Sequence, residues 1–416
     1  MWNVISQRSM LIREPNEVRI LRLVRDHKEI SRVEIAKKCN LNKAYVTELV
    51  AKLIKTGFLE ETGKVEINGK VGRKRTLLRF LPLAGLVAGV DVGMTHATII
   101  LCDLNAALLQ STTFHYALET TPQEVFKKVQ ESIQHILQLS GHPQSKLVGI
   151  GIGVQGLINY ATNSLTVSHN KKSWEGESMS AELEKTFKVP IYVENDVKTM
   201  ALGEYLLGVA KGVKNFVYLY IGDGLGAGIM INGHMHRGFT SSAGEIGYTE
   251  LEPASHYKEI CPMLYNGQII FGQILTDANI VESFKRHSKL SEDVVVTPQI
   301  VAGEAEKGNS IAIKIIDECA TLLSILSINL INTLNPEMII LGGKFSQCCP
   351  QISNLIREKI HKDLLSIPVE AVQVKSASFG DDSVAKGAAS VVLFEMFEPL
   401  HTFSVYSPRT NFFSEV

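Results

Sequence analysis

Two segments of the chain share one layout: an apolar strand pattern, a turn that contains glycine, and a second apolar strand pattern. The first spans residues 86–101 around Asp91-Val92-Gly93-Met94-Thr95, and the second spans residues 216–231 around Gly222-Asp223-Gly224. Mixed strand and helix patterns follow each segment, so the sequence predicts an internally duplicated α/β fold with two lobes facing a cleft. Because glycine lets backbone amides approach an anion, each turn is either a phosphate cradle or simply a tight turn.

A basic segment precedes this body. Residues 1–82 hold 18 Lys and Arg against 9 Asp and Glu, whereas the whole chain holds 42 against 43. A basic segment of domain size on a larger acidic body is typical of a nucleic-acid-binding module. The composition changes near Pro82. We therefore predict a DNA-binding domain over residues 1–82 and a second, two-lobed domain over residues 83–416, with its cleft near residues 195–245.

The basic segment has the order of a helix-turn-helix. Apolar positions recur at helical spacing from Asn16, and Ser31 with Glu34 three residues later forms a capping-box pattern that starts a second helix. Asn40 suits the turn that ends this helix, because asparagine tolerates the left-handed conformation. A third helix is predicted over residues 42–55. Its outer face is expected to contact DNA bases through Asn42, Lys43, Tyr45 and Thr47.

A β-hairpin is predicted after the third helix: residues 57–60 lead into a first strand pattern over residues 65–70, and a second follows over residues 72–78. Its basic tip contains Arg73, Lys74 and Arg75. These cations would neutralise phosphates or enter the minor groove, as the wing of a winged helix-turn-helix does. The alternative is a small helical interaction domain with a solvated basic edge.

Several classes of protein do not fit the composition. The apolar runs are far shorter than the roughly 18 residues that span a membrane, and the first residues lack a signal-peptide pattern, so we expect a cytoplasmic protein. The six cysteines are scattered without any Cys-x-x-Cys spacing, which favours free thiols over a disulfide framework.

Further motifs follow the first hairpin in a fixed series. They are Gly149-Ile150-Gly151-Ile152-Gly153-Val154-Gln155-Gly156, Val193-Glu194-Asn195-Asp196, Gly203-Glu204, Ala243-Gly244-Glu245-Ile246-Gly247-Tyr248, Asn335-Pro336-Glu337 with Leu341-Gly342-Gly343, and Asp382-Ser383 with Gly387-Ala388-Ala389. Together they resemble the ROK family of repressors, open reading frames and sugar kinases. The resemblance implies the two-lobed, actin-like, ribonuclease H-like fold. With the winged helix in front, the whole chain resembles a ROK transcriptional repressor of the xylose, glucose or N-acetylglucosamine regulator type.

The resemblance also implies a sugar site. Asp196 stands where the kinases of the family hold the catalytic base. Asn195 and Glu245 stand where relatives bind sugar hydroxyls, and Asn170 falls in a sugar-contacting loop. Trp174, in the same loop, packs either against the sugar ring or, as we favour, in the core.

Two departures from the family pattern bear on cofactors. Met94 and Asp223 replace a glycine and a threonine of the kinase phosphate turns, so Asp91, Gly93, Thr95, Gly222, Asp223 and Gly224 are interpreted as vestigial phosphate loops and ATP binding is not expected. Tyr248 replaces a zinc-binding histidine, and the family's cysteine run is reduced to Cys261 beside His256. We therefore expect no metal, an exposed position for His234 and His236, and for Tyr248 either a sugar contact or a filling role.

The leading interpretation is a sugar-responsive repressor of genes for carbohydrate uptake or catabolism, acting as a homodimer or tetramer on double-stranded operator DNA. It would need no cofactor, and Asp196 would be a vestigial base rather than a catalytic residue. One alternative is an ATP-dependent ROK sugar kinase that carries a winged helix. Another is a repressor controlled by a phosphorylated sugar or by a partner protein.

Overall fold

The computed structural model describes residues 15–65, 75–168, 171–251, 269–291, 293–363 and 372–397. The chain divides into two compact units, one formed by residues 1–196 with 388–416 and the other by residues 197–387. No helix in these described ranges is both long enough and apolar enough to cross a membrane.

The N-terminal part of the first unit is a winged helix-turn-helix, as predicted. Its elements are α1 (Pro15–His27), β1 (Ile30–Ser31), α2 (Arg32–Cys39), α3 (Lys43–Lys55), β2 (Leu59–Val65) and β3 (Arg75–Phe80). Ser31 caps α2 in a complete capping box with Glu34, whose carboxylate accepts from the Ser31 backbone N–H at 3.0 Å. Asn40 ends α2 in the left-handed conformation with φ of 53°. Both predicted ends of this helix are therefore confirmed.

The third helix and the hairpin pack on a small apolar core. Val46, Leu49, Val50 and Leu53 of α3 are all buried. Strands β2 and β3 pair antiparallel and, with β1, form a sheet of order β1-β3-β2. The first strand of the hairpin begins at Leu59, earlier than the sequence pattern indicated. The predicted tip with Arg73 and Lys74 lies outside the described residues, and Arg75 opens β3.

The rest of the first unit is built on a five-stranded sheet. Its elements are β4 (Leu86–Val92), β5 (His96–Asp103), β6 (Leu108–His115), α4 (Pro122–Leu139), β7 (Leu147–Val154), β8 (Leu157–Asn159), β9 (Ser164–Val167), α5 (Ala181–Phe187) and β10 (Ile191–Asn195). The sheet order is β10-β7-β4-β5-β6, with β4, β7 and β10 parallel and the β4-β5-β6 meander antiparallel.

The second unit repeats this arrangement. Its elements are α6 (Asp196–Leu207), β11 (Phe216–Ile221), β12 (Leu225–Ile231), β13 (His234–Met235), β14 (Glu250–Leu251), β15 (Ile269–Ile270), α7 (Phe271–Ile274), α8 (Asp277–His287), α9 (Pro298–Glu306), α10 (Ser310–Leu334), β16 (Met338–Gly342), α11 (Lys344–Cys348), α12 (Ile352–Asp363), β17 (Gln373–Ser376) and α13 (Ser383–Phe397). Its main sheet has the order β17-β16-β11-β12-β13, again a meander on one side and two parallel strands on the other. The predicted duplication is confirmed, and the unit boundaries fall inside α6 and α13.

Close packing explains part of the glycine pattern in the first unit. A side chain at Gly151 of β7 would overlap the carbonyl oxygen of Ala388 in α13. The glycine therefore permits the helix to lie directly on the strand.

Trp174 is fully buried, and its indole N–H donates to the Thr120 carbonyl oxygen at 3.1 Å, which confirms the core position favoured from the sequence.

Candidate functional site

The outer face of α3 presents the residues predicted to contact DNA. Lys43 and Thr47 are exposed, and Tyr45 is half-buried. Asn42 caps the helix, because its Oδ1 accepts from the Ala44 N–H at 2.8 Å. The Thr47 hydroxyl donates its proton to the Lys43 carbonyl oxygen at 2.8 Å. In a DNA contact, the hydroxyl oxygen of Thr47 would therefore act as a hydrogen-bond acceptor.

Ion pairs fix α3 and the wing strands on the rest of the domain. The Lys52 ammonium of α3 lies 2.5 Å from the carboxylate of Glu17, a fully buried residue of α1. Arg32 of α2 pairs with Glu61 of β2 at 2.7 Å. One contact joins α3 to α1 and the other joins the hairpin to α2, so charges as well as apolar packing attach each element to the rest of the domain.

The predicted sugar residues of the first unit lie at the carboxyl end of β10. This edge of a parallel sheet is where α/β folds commonly bind ligands. The Asn195 amide donates to the Gly156 carbonyl oxygen at 3.2 Å and to Asp196 Oδ1 at 2.9 Å. Asn195 is almost entirely buried, and Asp196, at the start of α6, is half-buried. The structure thus brings the amide and the carboxylate together in fixed orientations.

A buried carboxylate behind this pair was not predicted from the sequence. Glu194 is fully buried, accepts from the Asn195 backbone N–H at 3.0 Å, and receives a short hydrogen bond from the Tyr160 hydroxyl. Tyr160 follows β8, and no spacing in the sequence relates it to β10. Glu194 and Tyr160 therefore orient the strand end without belonging to the predicted ligand set.

The predicted sugar residues of the second unit lie on the loop after β13. Glu245 follows Gly244, whose φ of 95° and whose close approach to the Ala227 carbonyl oxygen both exclude a side chain. The Ala227 N–H donates to the Gly244 carbonyl oxygen at 2.8 Å, which fixes the loop on β12. Tyr248 is 52% exposed, so it does not fill an interior gap. Burial and the nearby Glu245 carboxylate raise the pKa of Tyr248.

The first glycine turn holds a buried carboxylate. Asp91 lies at the end of β4, with its Oδ2 atom 3.5 Å from His96 Nε2. Burial raises the pKa of Asp91, while hydrogen bonding and charge from His96, and charge from Lys171, oppose the rise. The imidazole of His96 also packs directly against Gly93. Thr95 is exposed beside them.

A lysine beside the predicted sugar loop also joins this turn. Lys171 Nζ donates to the Gly93 carbonyl oxygen at 2.9 Å and to the Tyr116 hydroxyl at 2.7 Å, and lies 3.8 Å from the centre of the Trp174 ring. Burial lowers the pKa of Lys171 to about 8, against the opposing charge of Asp91. The sequence offers Lys171 and Lys172 side by side and does not indicate which of them is buried.

The second glycine turn carries two neighbouring carboxylates. Asp223 is exposed on the turn, and the Asp277 N–H donates to the Gly222 carbonyl oxygen at 2.9 Å. Burial and the charge of Asp223 raise the pKa of Asp277 to about 6, while Lys344 and the Phe345 N–H oppose the rise. Asp277 lies 54 positions after Asp223 in the chain. Its approach to the turn follows from the placement of α8, which the sequence pattern did not reveal.

Other predicted residues fall outside the described ranges or away from the site. Asn170 and the segment with His256 and Cys261 are not among the described residues. His234 and His236 are exposed, as predicted. Within the described ranges, no group of three or more His, Cys, Asp or Glu side chains is placed to hold a metal ion.

Comparison with known protein families agrees with the resemblance found in the sequence. A profile described as the ROK family matches residues 87–395, about three quarters of the chain. The chain belongs to the ROK family. A MarR family profile matches residues 14–65, the segment that contains α1 to α3 of the winged helix-turn-helix.

Individual relatives of this ROK protein include regulators and kinases. A xylose repressor of Caldicellulosiruptor bescii is 27% identical over 393 residues, which cover 93% of this chain and 97% of the repressor. A glucokinase of Halalkalibacterium halodurans is 29% identical over 315 residues, which cover 73% of this chain and 94% of the kinase. Among solved structures, a ROK family transcriptional regulator, homologous to the Escherichia coli MLC protein, matches with a TM-score of 0.78 at 22% identity. It covers 92% of this chain and 96% of its own.

Proposed function

We propose that the chain is a sugar-responsive transcriptional regulator that represses genes for carbohydrate uptake or catabolism. The observation that carries this proposal is the joint presence of a winged helix-turn-helix and a ROK domain along nearly the whole length of a xylose repressor. A glucokinase of the family covers 73% of this chain, whereas the repressor covers 93%. The winged helix-turn-helix gives the protein a second ligand in addition to the sugar. Its exposed basic face suits DNA.

The proposed mechanism couples two binding events. Paired α3 helices of a homodimer or tetramer would occupy successive major grooves of a palindromic operator. A sugar bound at the predicted sugar residues would favour a conformation that no longer fits the operator. Carboxylates and amides discriminate between sugars well, because a wrong epimer leaves a buried polar group without its partner.

The turns that would hold ATP in a kinase support a regulatory rather than a catalytic role. Asp223 and Asp277 place two carboxylates at the second turn, one exposed and one half-buried. A nucleoside triphosphate there would meet negative charge in a partly desolvated position, which weakens binding. At the first turn, Met94 brings a bulky side chain where a phosphate needs close approach of the backbone.

The sugar-kinase alternative is favoured by one observation, the retained and ordered Asp196 beside Asn195. A coupled phosphorylation assay with ATP and D-xylose, D-glucose or N-acetyl-D-glucosamine decides between the two. We expect no turnover above background. Turnover that the Asp196→Ala variant abolishes would establish the kinase.

Operator binding is tested with DNA that the protein itself selects from a random-sequence pool. Fluorescence anisotropy of the selected duplex is then measured while the same three sugars are added. We expect one of them to release the protein. Release only by a phosphorylated sugar would indicate the phosphosugar-controlled regulator instead, and failure to enrich any sequence would refute the repressor.

Metal content and location complete the proposal. We propose that the chain needs no zinc, because Tyr248 replaces the family's histidine and is half exposed to solvent. Metal analysis of the purified protein, with zinc below one tenth of an equivalent, would agree; a full equivalent that survives dialysis would contradict it. A repressor of this kind works in the cytoplasm, where the operator is.

A further inference from the structure

Lys198 is a buried lysine in the first turn of α6, the helix that begins at Asp196. Only 2% of the residue is exposed. The helix lies so close to β12 that a Cβ at Gly228 would be 3.1 Å from the Val197 carbonyl oxygen and 3.6 Å from Lys198 Cα. An ammonium group in such surroundings requires acceptors, because its lost hydration must be replaced.

The ammonium reaches a loop that is distant in sequence. Lys198 Nζ donates to the carbonyl oxygen of Ser241 at 2.6 Å. Ser241 has a φ of 67°, a left-handed conformation that is costly for a residue with a side chain. Such conformations persist only where surrounding contacts enforce them, and they concentrate at functional sites.

The same loop carries a predicted sugar contact. Residues 236–245 join β13 to the turn at Ile246, and Glu245 is the last of them. The loop is held at Gly244 by the Ala227 N–H and at Ser241 by the Lys198 ammonium. The Glu245 N–H donates to the Ser242 carbonyl oxygen at 3.2 Å, next to both of these points.

We propose that Lys198 is a positioning residue for effector recognition, whose buried ammonium fixes the Glu245 loop relative to helix α6. The inference rests on the proposed function, because it assumes that Glu245 contacts the sugar. It adds a residue that contributes to sugar affinity without touching the sugar, through the backbone of Ser241.

The expected effect follows from the hydrogen bond that a substitution at Lys198 would remove. A hydrogen bond from a charged donor is worth more than a neutral one, and without it the loop samples other conformations that do not place Glu245. We expect Lys198→Met to raise the sugar concentration for half-release of the operator by about tenfold or more. Operator affinity in the absence of sugar should change by less than about twofold, because α3 and the wing lie in the other unit.

The experiment measures both quantities on the full-length protein with the selected duplex and the sugar that releases wild-type protein. Lys211→Met is the matched control, since Lys211 is exposed in the same unit. Ser241→Ala is a second control, because the acceptor is the backbone carbonyl and the hydroxyl is dispensable. Both controls should respond to sugar within about twofold of wild type.

Hydrogen exchange of the amides of residues 238–246 supplies a readout that does not depend on the sugar. The Lys198→Gln variant, which removes the charge but keeps a polar side chain, guards against loss of folding in Lys198→Met. Faster exchange of the loop with an unchanged operator affinity would support the proposal. Wild-type exchange and wild-type sugar response in Lys198→Gln would overturn it. If no sugar releases the wild-type protein, the proposed function fails, and the exchange comparison still decides whether Lys198 fixes the loop.

Discussion

The buried ion pair between Glu17 and Lys52 leads to an asymmetric prediction for the DNA-binding domain. The Glu17 side chain is fully buried, whereas the Lys52 side chain is 48% exposed to solvent. Among the residues that the structure describes, neither Glu17 oxygen meets a donor with hydrogen-bond geometry. The ammonium 2.5 Å away is therefore the main compensation for burying this carboxylate.

The loss of folding free energy depends on which partner of the ion pair is replaced. Lys52→Met leaves a buried charge without its partner, which costs about 3 to 5 kcal/mol for a fully buried pair. Because Lys52 is half exposed, part of its attraction is already screened, and we expect a loss of about 2 to 3 kcal/mol. Glu17→Gln removes the buried charge and lets the lysine hydrate, so we expect a loss of about 1 kcal/mol or less.

Hydrogen exchange of the α1 and α3 amides in the full-length protein measures this local stability. Lys52→Met should accelerate exchange by about 30- to 150-fold, and Glu17→Gln by about fivefold or less. The double variant should be more stable than Lys52→Met alone, because no buried charge remains. Lys55→Met on the same helix is the matched control, since Lys55 is exposed.

The reasoning would be refuted if the two single substitutions accelerated exchange equally, or if Lys52→Met behaved like Lys55→Met. Either outcome would mean that the Lys52 ammonium is not the main compensation for burying the Glu17 carboxylate. The asymmetry, rather than the absolute loss, is the decisive quantity.

Two further predictions concern the wing and the second glycine turn. Replacing Arg73 and Arg75 together by alanine should weaken operator binding and lower the magnitude of the slope of log affinity against log salt concentration by about 2. Anisotropy between about 50 and 200 mM salt measures this slope. An unchanged slope would mean that these two residues do not contact phosphates. Burial raises the pKa of Asp277 in the folded protein to about 6. The protonated carboxyl therefore stabilises the folded state at a pH below the pKa that Asp277 has in the unfolded chain, and this stabilisation is lost as the pH rises through 6. Thermal unfolding from about pH 4 to 8 should therefore show Asp277→Asn gaining stability relative to wild type as the pH rises, and a constant difference between them would contradict this cause.

The elements with strong local signals could be predicted from the sequence. Ser31 with Glu34 and the left-handed Asn40 fix the ends of α2 through contacts within a few residues. The two glycine turns indicated the duplication, because a strand pattern on both sides of a glycine turn is itself a local feature. The two five-stranded sheets then agree with the two-lobed fold that the motif series implied.

The supporting residues of the site could not be predicted, because their partners are distant in sequence. Lys198 meets Ser241, 43 positions away, and Lys171 meets Gly93, 78 positions away. A lysine in an ordinary helix or loop pattern is usually solvated, and only tertiary packing decides otherwise. The start of β2 at Leu59 was missed for a related reason, since Glu61 and Gly63 interrupt the strand alternation with a bulge.

The central claim is that sugar and operator DNA oppose each other on one protein. The most direct test measures sugar affinity by titration calorimetry with and without saturating selected duplex, and duplex affinity by anisotropy with and without saturating sugar. Linkage requires both ratios to be the same number, and we expect it to exceed about 5. Sugar binding of equal strength with and without DNA would contradict the account, however tightly either ligand binds alone.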